Sequence, residues 1–358
     1  MKNLKELVKI QSDKNGDEII QYLKQRFEEV AEQVIIVKNK ENDVKSILVG
    51  VNTKLNNINP IVLSGHIDTV SPDYNKYDTN PFDLTELDGK AYGLGSIDMK
   101  SFVAVILDKV EEIKKAKNPI VLAFTTDEET NLICIENVIA KFKELKIKPQ
   151  FTIVGEPTSC DIKITANGCY EYEVEVFGKS CHSSIVANGI NSISIIAKLI
   201  TFIEETQRNY ASLTSNCGVV TGGDIVNKVP DYAKLKFDIR STSSSETNSF
   251  LNQVQGKITE LQNEYMGANI KIIKLLEIPP LQNLSNPLIT NISQKLNLNI
   301  SKFNGGCEAG YYQKYSGDAI IFGVGDLNLA HKPNEYVVIE EYYKYAKLLI
   351  DVIALLCD

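Results

Sequence analysis

Apolar residues along the chain follow two spacings that alternate with one another. Ile19, Ile20, Leu23, Phe27 and Val30 fall on one helical face, and Leu4, Leu7 and Val8 fit the start of an earlier amphipathic helix. Short continuous apolar runs follow, each bounded by turn residues: Ile61-Val62-Leu63, Ile120 to Phe124, Phe151 to Val154 and Ala319 to Phe322. Runs of this kind suit central strands buried on both faces. Helical stretches near 101–115 and 131–147 lie between them. The alternation predicts an α/β fold, a mostly parallel sheet covered by helices.

The middle of the chain has a different period. Tyr170, Tyr172, Val174 and Val176 alternate with glutamates, the spacing of a half-exposed strand. A helix at about 189–207, strands near 216–222 and 232–240, a helix through Phe250, Val254, Ile258, Leu261 and Tyr265, and a strand near 269–275 follow. The order β-α-β-β-α-β makes a compact open-sheet unit with one exposed face. Residues 167–278 are therefore read as a second domain inserted into a first domain made of 1–166 and 279–358. The first domain resumes after Pro279-Pro280 and ends in a helix at 340–356.

Composition narrows the function classes. The 358 residues carry a formal net charge of −8, which argues against nucleic acid as a partner because phosphate binding needs a basic face. No apolar run approaches the ~20 residues of a membrane span, and the first residues lack a signal-peptide core. Seven cysteines without C-x-x-C spacing fit a reducing compartment, so the expected location is the cytoplasm.

In a parallel α/β sheet, ligands bind beyond the carboxyl ends of the strands. His66 and Asp68 follow the first apolar run, Asp127, Glu128 and Glu129 the second, Glu156 the third, and His331 the fourth after a short loop. Asp98 lies in the turn Gly93-Leu-Gly-Ser-Ile-Asp-Met-Lys100. Two divalent ions need such a set: one His and one terminal carboxylate each, with a fifth carboxylate between them. Asp68 is placed to orient His66. Of Glu128 and Glu129, which diverge if extended, one can bind metal while the other serves as general base. Taken singly, each position has an ordinary reading: surface histidine, solvated acid pair, helix cap for Asp98, turn residue for Glu156. Their convergence on one edge outweighs those readings.

The motifs Ser-Gly-His-Ile-Asp-Thr-Val at 64–70, Gly-Leu-Gly-Ser-Ile-Asp-Met-Lys at 93–100, Thr-Asp-Glu-Glu-Thr at 126–130, Val-Gly-Glu-Pro-Thr-Ser at 154–159 and Ala-His-Lys-Pro-Asn-Glu-Tyr at 330–336 resemble a known family. It is the di-zinc deacylase and peptidase family that holds acetylornithine deacetylase, succinyl-diaminopimelate desuccinylase, carboxypeptidase G and the aminoacylases. The resemblance covers nearly the whole chain. It implies two zinc ions, for which cobalt can substitute. His66, Asp98 and Glu156 would hold one, and Asp98, Glu129 and His331 the other. It further implies Glu128 as general base, Asp68 as the partner of His66, and a cis peptide after Asp98.

The inserted segment resembles the family's lid and dimerisation domain. Gly-Lys-Ser-Cys-His-Ser-Ser at 178–184 matches the loop whose histidine, here His182, stabilises an oxyanion in the other subunit of dimeric members. A homodimer through the lid is thus one expectation, although such lids also serve monomers. Asn227 in Thr-Gly-Gly-Asp-Ile-Val-Asn and Arg240 in Asp-Ile-Arg match substrate-contacting lid motifs. Asn-Gly-Gly-Cys-Glu-Ala-Gly at 304–310 leans toward the acetylornithine branch, and Glu308 is a candidate partner for a cationic substrate side chain. Gly-Val-Gly at 323–325 and Ala-Asn-Gly at 166–168 depart from the usual family stretches. The expected substrate is a small N-acyl amino acid. The desuccinylase, dipeptidases and related deacylases stay open. A thiol nucleophile at Cys181 or Cys307 lacks a sequence signature, and a nucleotide site at Gly93-x-Gly95 fails because Asp98 stands at the third glycine position.

Overall fold

The computed structural model describes residues 1–38, 45–283 and 286–357. The chain divides into two compact units, Met1–Ala166 with Asn283–Asp358, and Asn167–Gln282.

The first unit is built on a sheet with a parallel centre. Strands Ile120–Thr125, Ile61–His66, Phe151–Val154 and Asp318–Ile321 lie side by side in that order and run the same way. Every residue of the first three is buried, which is why they read as continuous apolar runs. Lys45–Gly50 and then Gln33–Lys38 extend one side antiparallel, and Ile162–Ala166 joins the other side antiparallel. The apolar-run pattern missed these outer strands, several of whose residues are half-exposed.

Helices cover both faces. Lys2–Lys9, Asp17–Glu28, Lys100–Ile113 and Ile339–Leu356 share one core with Ile61, Leu63, Leu122, Phe124, Ile153 and Phe322. Ile133–Leu145 packs with Ala309–Tyr315, where Phe142 and Tyr312 meet with ring centroids 6.3 Å apart. The predicted helices fall within a few residues of their expected ends. A small third sheet pairs Tyr336–Val338 with Lys90–Tyr92, and that strand with Thr85–Leu87. Its three-residue strands are too short to show a period.

Close backbone approach explains the glycine after the third run. A Cβ on Gly155 would lie 2.1 Å from the Phe102 ring, so only glycine lets helix Lys100–Ile113 seat against this strand end.

The second unit is a four-stranded antiparallel sheet in the order Leu213–Gly222, Tyr232–Ser241, Gly168–Phe177, Asn269–Ile278. Helices Ser192–Thr206 and Ser244–Glu264 bury one face, where Val174, Val176, Leu235 and Phe237 meet Ile195, Leu199, Phe250 and Val254. Glu173, on the opposite face, pairs with Lys234 and Lys236 at 3.2 and 3.5 Å. The alternation of aromatics and glutamates thus separates core from surface, as the period of two requires.

Candidate metal centre

The parallel strands end level with one another, and this sets the site. His66 is in register with Thr125, and Ser64 with Val154. The residues that follow each strand are therefore delivered to one edge. After Thr125 the chain turns sharply around Asp127. Its carbonyl accepts from the N–H groups of Thr130, Asn131 and Leu132, and its carboxylate accepts from Ile133 and Cys134 at 2.8 and 2.9 Å. Glu128 and Glu129 sit in this turn, not in an extended segment, so both carboxylates reach the same place: one oxygen of each lies with a His66 ring nitrogen in a group spanning no more than 4.8 Å.

Asp98 stands between the two histidines. His66 Nε2 is 2.9 Å from Asp98 Oδ1, and His331 Nε2 is 3.3 Å from Asp98 Oδ2. Glu129 Oε1 lies 2.9 Å from His331 Nε2, and Glu156 Oε1 lies 3.9 Å from His66 Nε2. Two triads result, His66-Asp98-Glu156 and Asp98-Glu129-His331, each with its donor atoms within 4.8 Å of one another. Asp98 belongs to both. It does not cap the following helix, whose N-cap residue is Met99, and the Asp98-Met99 peptide bond is cis.

Asp68 orders two of these segments at once. His66 Nδ1 donates to the Asp68 carbonyl at 3.1 Å, with the Asp68 carboxylate 3.5 Å away. The same carboxylate accepts the N–H groups of Glu128 and Glu129 at 3.3 and 3.0 Å. With Nδ1 committed in this way, Nε2 is left to face the cluster.

The acids of the cluster crowd one another. Burial, with the neighbouring carboxylates, pushes Glu128 up to about 8, against the pull of His66. Burial and the charge of Asp98 raise Glu156 well above the carboxylate range. Burial alone would raise Asp98, but hydrogen bonds with His331 and His66 hold it far below its ordinary value. Burial would likewise lower His66, but its contacts with Asp68 and Asp98 outweigh that and raise it. Hydrogen bonds to Asp98 and Glu129 lift His331 to about 10. Two imidazoles and four carboxylates held this closely fit divalent cations, whose charge relieves the repulsion among the acids.

The other candidate residues are placed as follows. His182 is exposed at the start of a short 3-10 turn, its Nδ1 accepting the Ser184 N–H at 3.2 Å. Its loop pairs with the Asn227 loop, Ser183 N–H donating to the Asn227 carbonyl at 3.0 Å. Arg240 lies on the polar face of strand Tyr232–Ser241, with Nε 2.9 Å from Asp238 Oδ2. That is the end of the strand away from Asn227, at ~3.3 Å per residue roughly 25 Å along the sheet. Glu308 is not a solvated loop acid. It is fully buried, accepting from the Ser64 hydroxyl at 3.1 Å and from the Thr125 hydroxyl, and burial pushes it up to about 7.

Two buried charges near the site escaped sequence reasoning. Glu335 accepts three main-chain N–H groups of the Asp98 loop. Lys100 is wholly buried and donates to the Ile10 carbonyl at 2.8 Å. Both sit inside the motifs read above. Lys100 lies in a run of buried residues, where a charge is expensive without partners, whereas Glu335 is flanked by half-buried Asn334 and Tyr336 and left no such signal.

Comparison with known proteins agrees with this picture. The model of peptidase family M20/M25/M40 matches residues 62–355. Acetylornithine deacetylase of Buchnera aphidicola is 33% identical over 298 residues, covering 79% of this chain and 76% of that protein. The enzyme of the same name from Yersinia pseudotuberculosis is 32% identical over 294 residues, 77% and 74% of the two chains. Aminopeptidase PepT of Bacillus cereus shares the fold with a TM-score of 0.76 at 20% identity, covering 100% of this chain and 98% of that one. A dinuclear metal-binding M20 peptidase from Bacillus subtilis does so with a TM-score of 0.70 at 14% identity, covering 99% and 96%. Matched along most of its length, the chain belongs to peptidase family M20/M25/M40 and is a metal-dependent hydrolase of amide bonds.

Proposed function

We propose that the protein removes the acetyl group from N-acetylornithine, a step of arginine biosynthesis in the cytoplasm, using two zinc ions. His66, Asp98 and Glu156 would hold one ion, and Asp98, Glu129 and His331 the other. The observation that carries this reading is Asp98, which turns one oxygen toward each histidine. The acetylated substrate is supported by the name shared by relatives about one-third identical to this chain.

Divalent cations at these donors supply Lewis acidity toward a carbonyl and acidify water. Glu128, partly buried beside His66, takes a proton from water as its oxygen adds to the acyl carbon. The same carboxyl then hands the proton to the amide nitrogen as the C–N bond breaks, giving acetate and the free amine. Asp68 holds the imidazole of His66 and the turn of Glu128 in one register through this sequence.

His182, Asn227 and Arg240 are the proposed lid contacts to substrate and oxyanion. His182 and Asn227 share one end of the second unit's sheet and Arg240 occupies the other. A small substrate cannot span that distance, so touching all three requires two copies of the chain. This supports a homodimer. Glu308 is buried, so it would meet a substrate ammonium only if the residues covering it moved.

The test is a panel of N-acetyl amino acids, N-succinyl-diaminopimelate and dipeptides, assayed with added zinc or cobalt. Highest kcat/KM on N-acetylornithine supports the assignment. Preference for the succinylated compound or a dipeptide moves the protein to another branch of the family. No metal-dependent hydrolysis of any of them ends the reading.

A further inference from the structure

The loop that carries Asp98 has little regular structure to hold it. Between strand Lys90–Tyr92 and helix Lys100–Ile113 it turns through Gly95, at a φ of 76°, and reaches Asp98 with few ladder bonds of its own. Leu94 N–H donates to the Pro81 carbonyl and Ser96 N–H to the Gly93 carbonyl, and one side chain takes three further main-chain donors. The carboxylate of Glu335 accepts the N–H of Gly95 at 3.0 Å, of Ile97 at 2.7 Å and of Asp98 at 3.1 Å. The carbonyl of Glu335 accepts a fourth N–H, from Gly93, at 3.0 Å. The loop is thus wound around a single anion, which is enclosed at 2% exposure.

Glu335 also lies four residues after His331 and directly before strand Tyr336–Val338, which pairs with Lys90–Tyr92. Both His331 and Asn334 adopt positive φ, at 58° and 60°, so this segment folds tightly back on itself. Asn334 in turn exchanges two 2.8 Å hydrogen bonds with Asp78, one to its main chain and one to its side chain. One short stretch therefore presents His331 to the cluster and, with Glu335, clamps the loop that presents Asp98.

We propose that Glu335 is a positioning residue for the cation pair, fixing the bridging Asp98 relative to His331 through the main chain of the Gly95–Asp98 loop. The inference rests on the two-cation reading above. Three N–H groups converge on the carboxylate, and a neutral amide cannot replace it. Glutamine offers a single acceptor oxygen, and its own N–H groups face main-chain donors. In Glu335→Gln the loop shifts and Asp98 loses its placement between the histidines, while all five donor side chains are still present.

The test compares wild type, Glu335→Gln and Val337→Ala. Val337 is a buried core residue on the adjoining strand and belongs to none of the donor groups, so its variant is a control for general loss of stability. Metal-free protein is titrated with cobalt(II) against a competing chelator, with the visible spectrum recorded at each step. Glu335→Gln should bind metal about 10–100-fold more weakly and show an altered cobalt spectrum, with kcat reduced and KM little changed. Val337→Ala should keep wild-type affinity and spectrum. Should the glutamine variant not fold, Glu335→Asp carries the same comparison, because it keeps the charge but withdraws the carboxylate from the loop. Wild-type affinity and spectrum in the Glu335 variant, or equal weakening in Val337→Ala, overturn the proposal. A wild type that fails to take up two ions is a separate outcome, and it removes the two-cation reading beneath it.

Discussion

Asp98 meets His66 across 2.9 Å with one carboxylate oxygen and keeps the other for the opposite side of the cluster. That division of one side chain between two imidazoles is the geometric basis for a paired-cation site. It also shapes how the protein responds to substitution and to pH.

Glu128 is the proposed proton carrier. Glu128→Gln preserves size and leaves the other donors in place, so metal content should stay at the wild-type level. Turnover should fall by about 10²–10⁴-fold. Elemental analysis and steady-state kinetics on one preparation check both halves. A variant within a few-fold of wild-type kcat takes the proton-transfer role away from Glu128.

Metal and protons compete for the cluster. In metal-free protein His331 is raised to about 10 and Glu128 to about 8, both above their unfolded values. Groups with raised folded-state values stabilise fully below the unfolded value and lose that contribution as pH climbs through the folded one. Metal-free protein should therefore lose thermal stability as pH rises from about 4.5 to about 10. Metal affinity should rise over the same window, because the ion displaces protons. Asp98, held below its ordinary value, adds stability that is fully present across this window and is lost only as pH falls below its ordinary value. Melting curves with chelator, and calorimetric titrations in buffers of different ionisation enthalpy, measure the two effects. A metal-free melting temperature that climbs with pH, or binding without proton release, contradicts this account.

His182 belongs to the second unit and to no triad of donors among the described residues. His182→Ala should retain both metal ions while kcat drops by about 10²–10³-fold, the scale of one lost oxyanion donor. Equal rates for variant and wild type make His182 a bystander.

The sequence displayed the central strands and the candidate donor residues because both rest on strong local signals. A strand buried on both faces must be apolar throughout, and His66, Glu128, Glu129 and Glu156 follow such strands directly. Asp98 and His331 were less plainly marked, since each lies in a loop without a period: one in a glycine-rich turn, the other a short loop beyond the fourth run. What stayed hidden depended on distant partners. Glu308 reads as a loop acid until Ser64 and Thr125 are seen to enclose it. Glu335 and Lys100 are ordinary surface residue types, and only tertiary packing buries them. Three-residue strands such as Tyr336–Val338 carry too few positions to reveal a face.

The inserted second unit cuts the first unit's proposed donor set in two. His66, Asp98, Glu129 and Glu156 precede residue 167, whereas His331 follows residue 282. Because synthesis proceeds from the amino terminus, a growing chain emerges from the ribosome with the set one imidazole short. That gap is filled only once the whole second unit has been made, so in the proposed two-cation site a chain halted before His331 would lack one ligand.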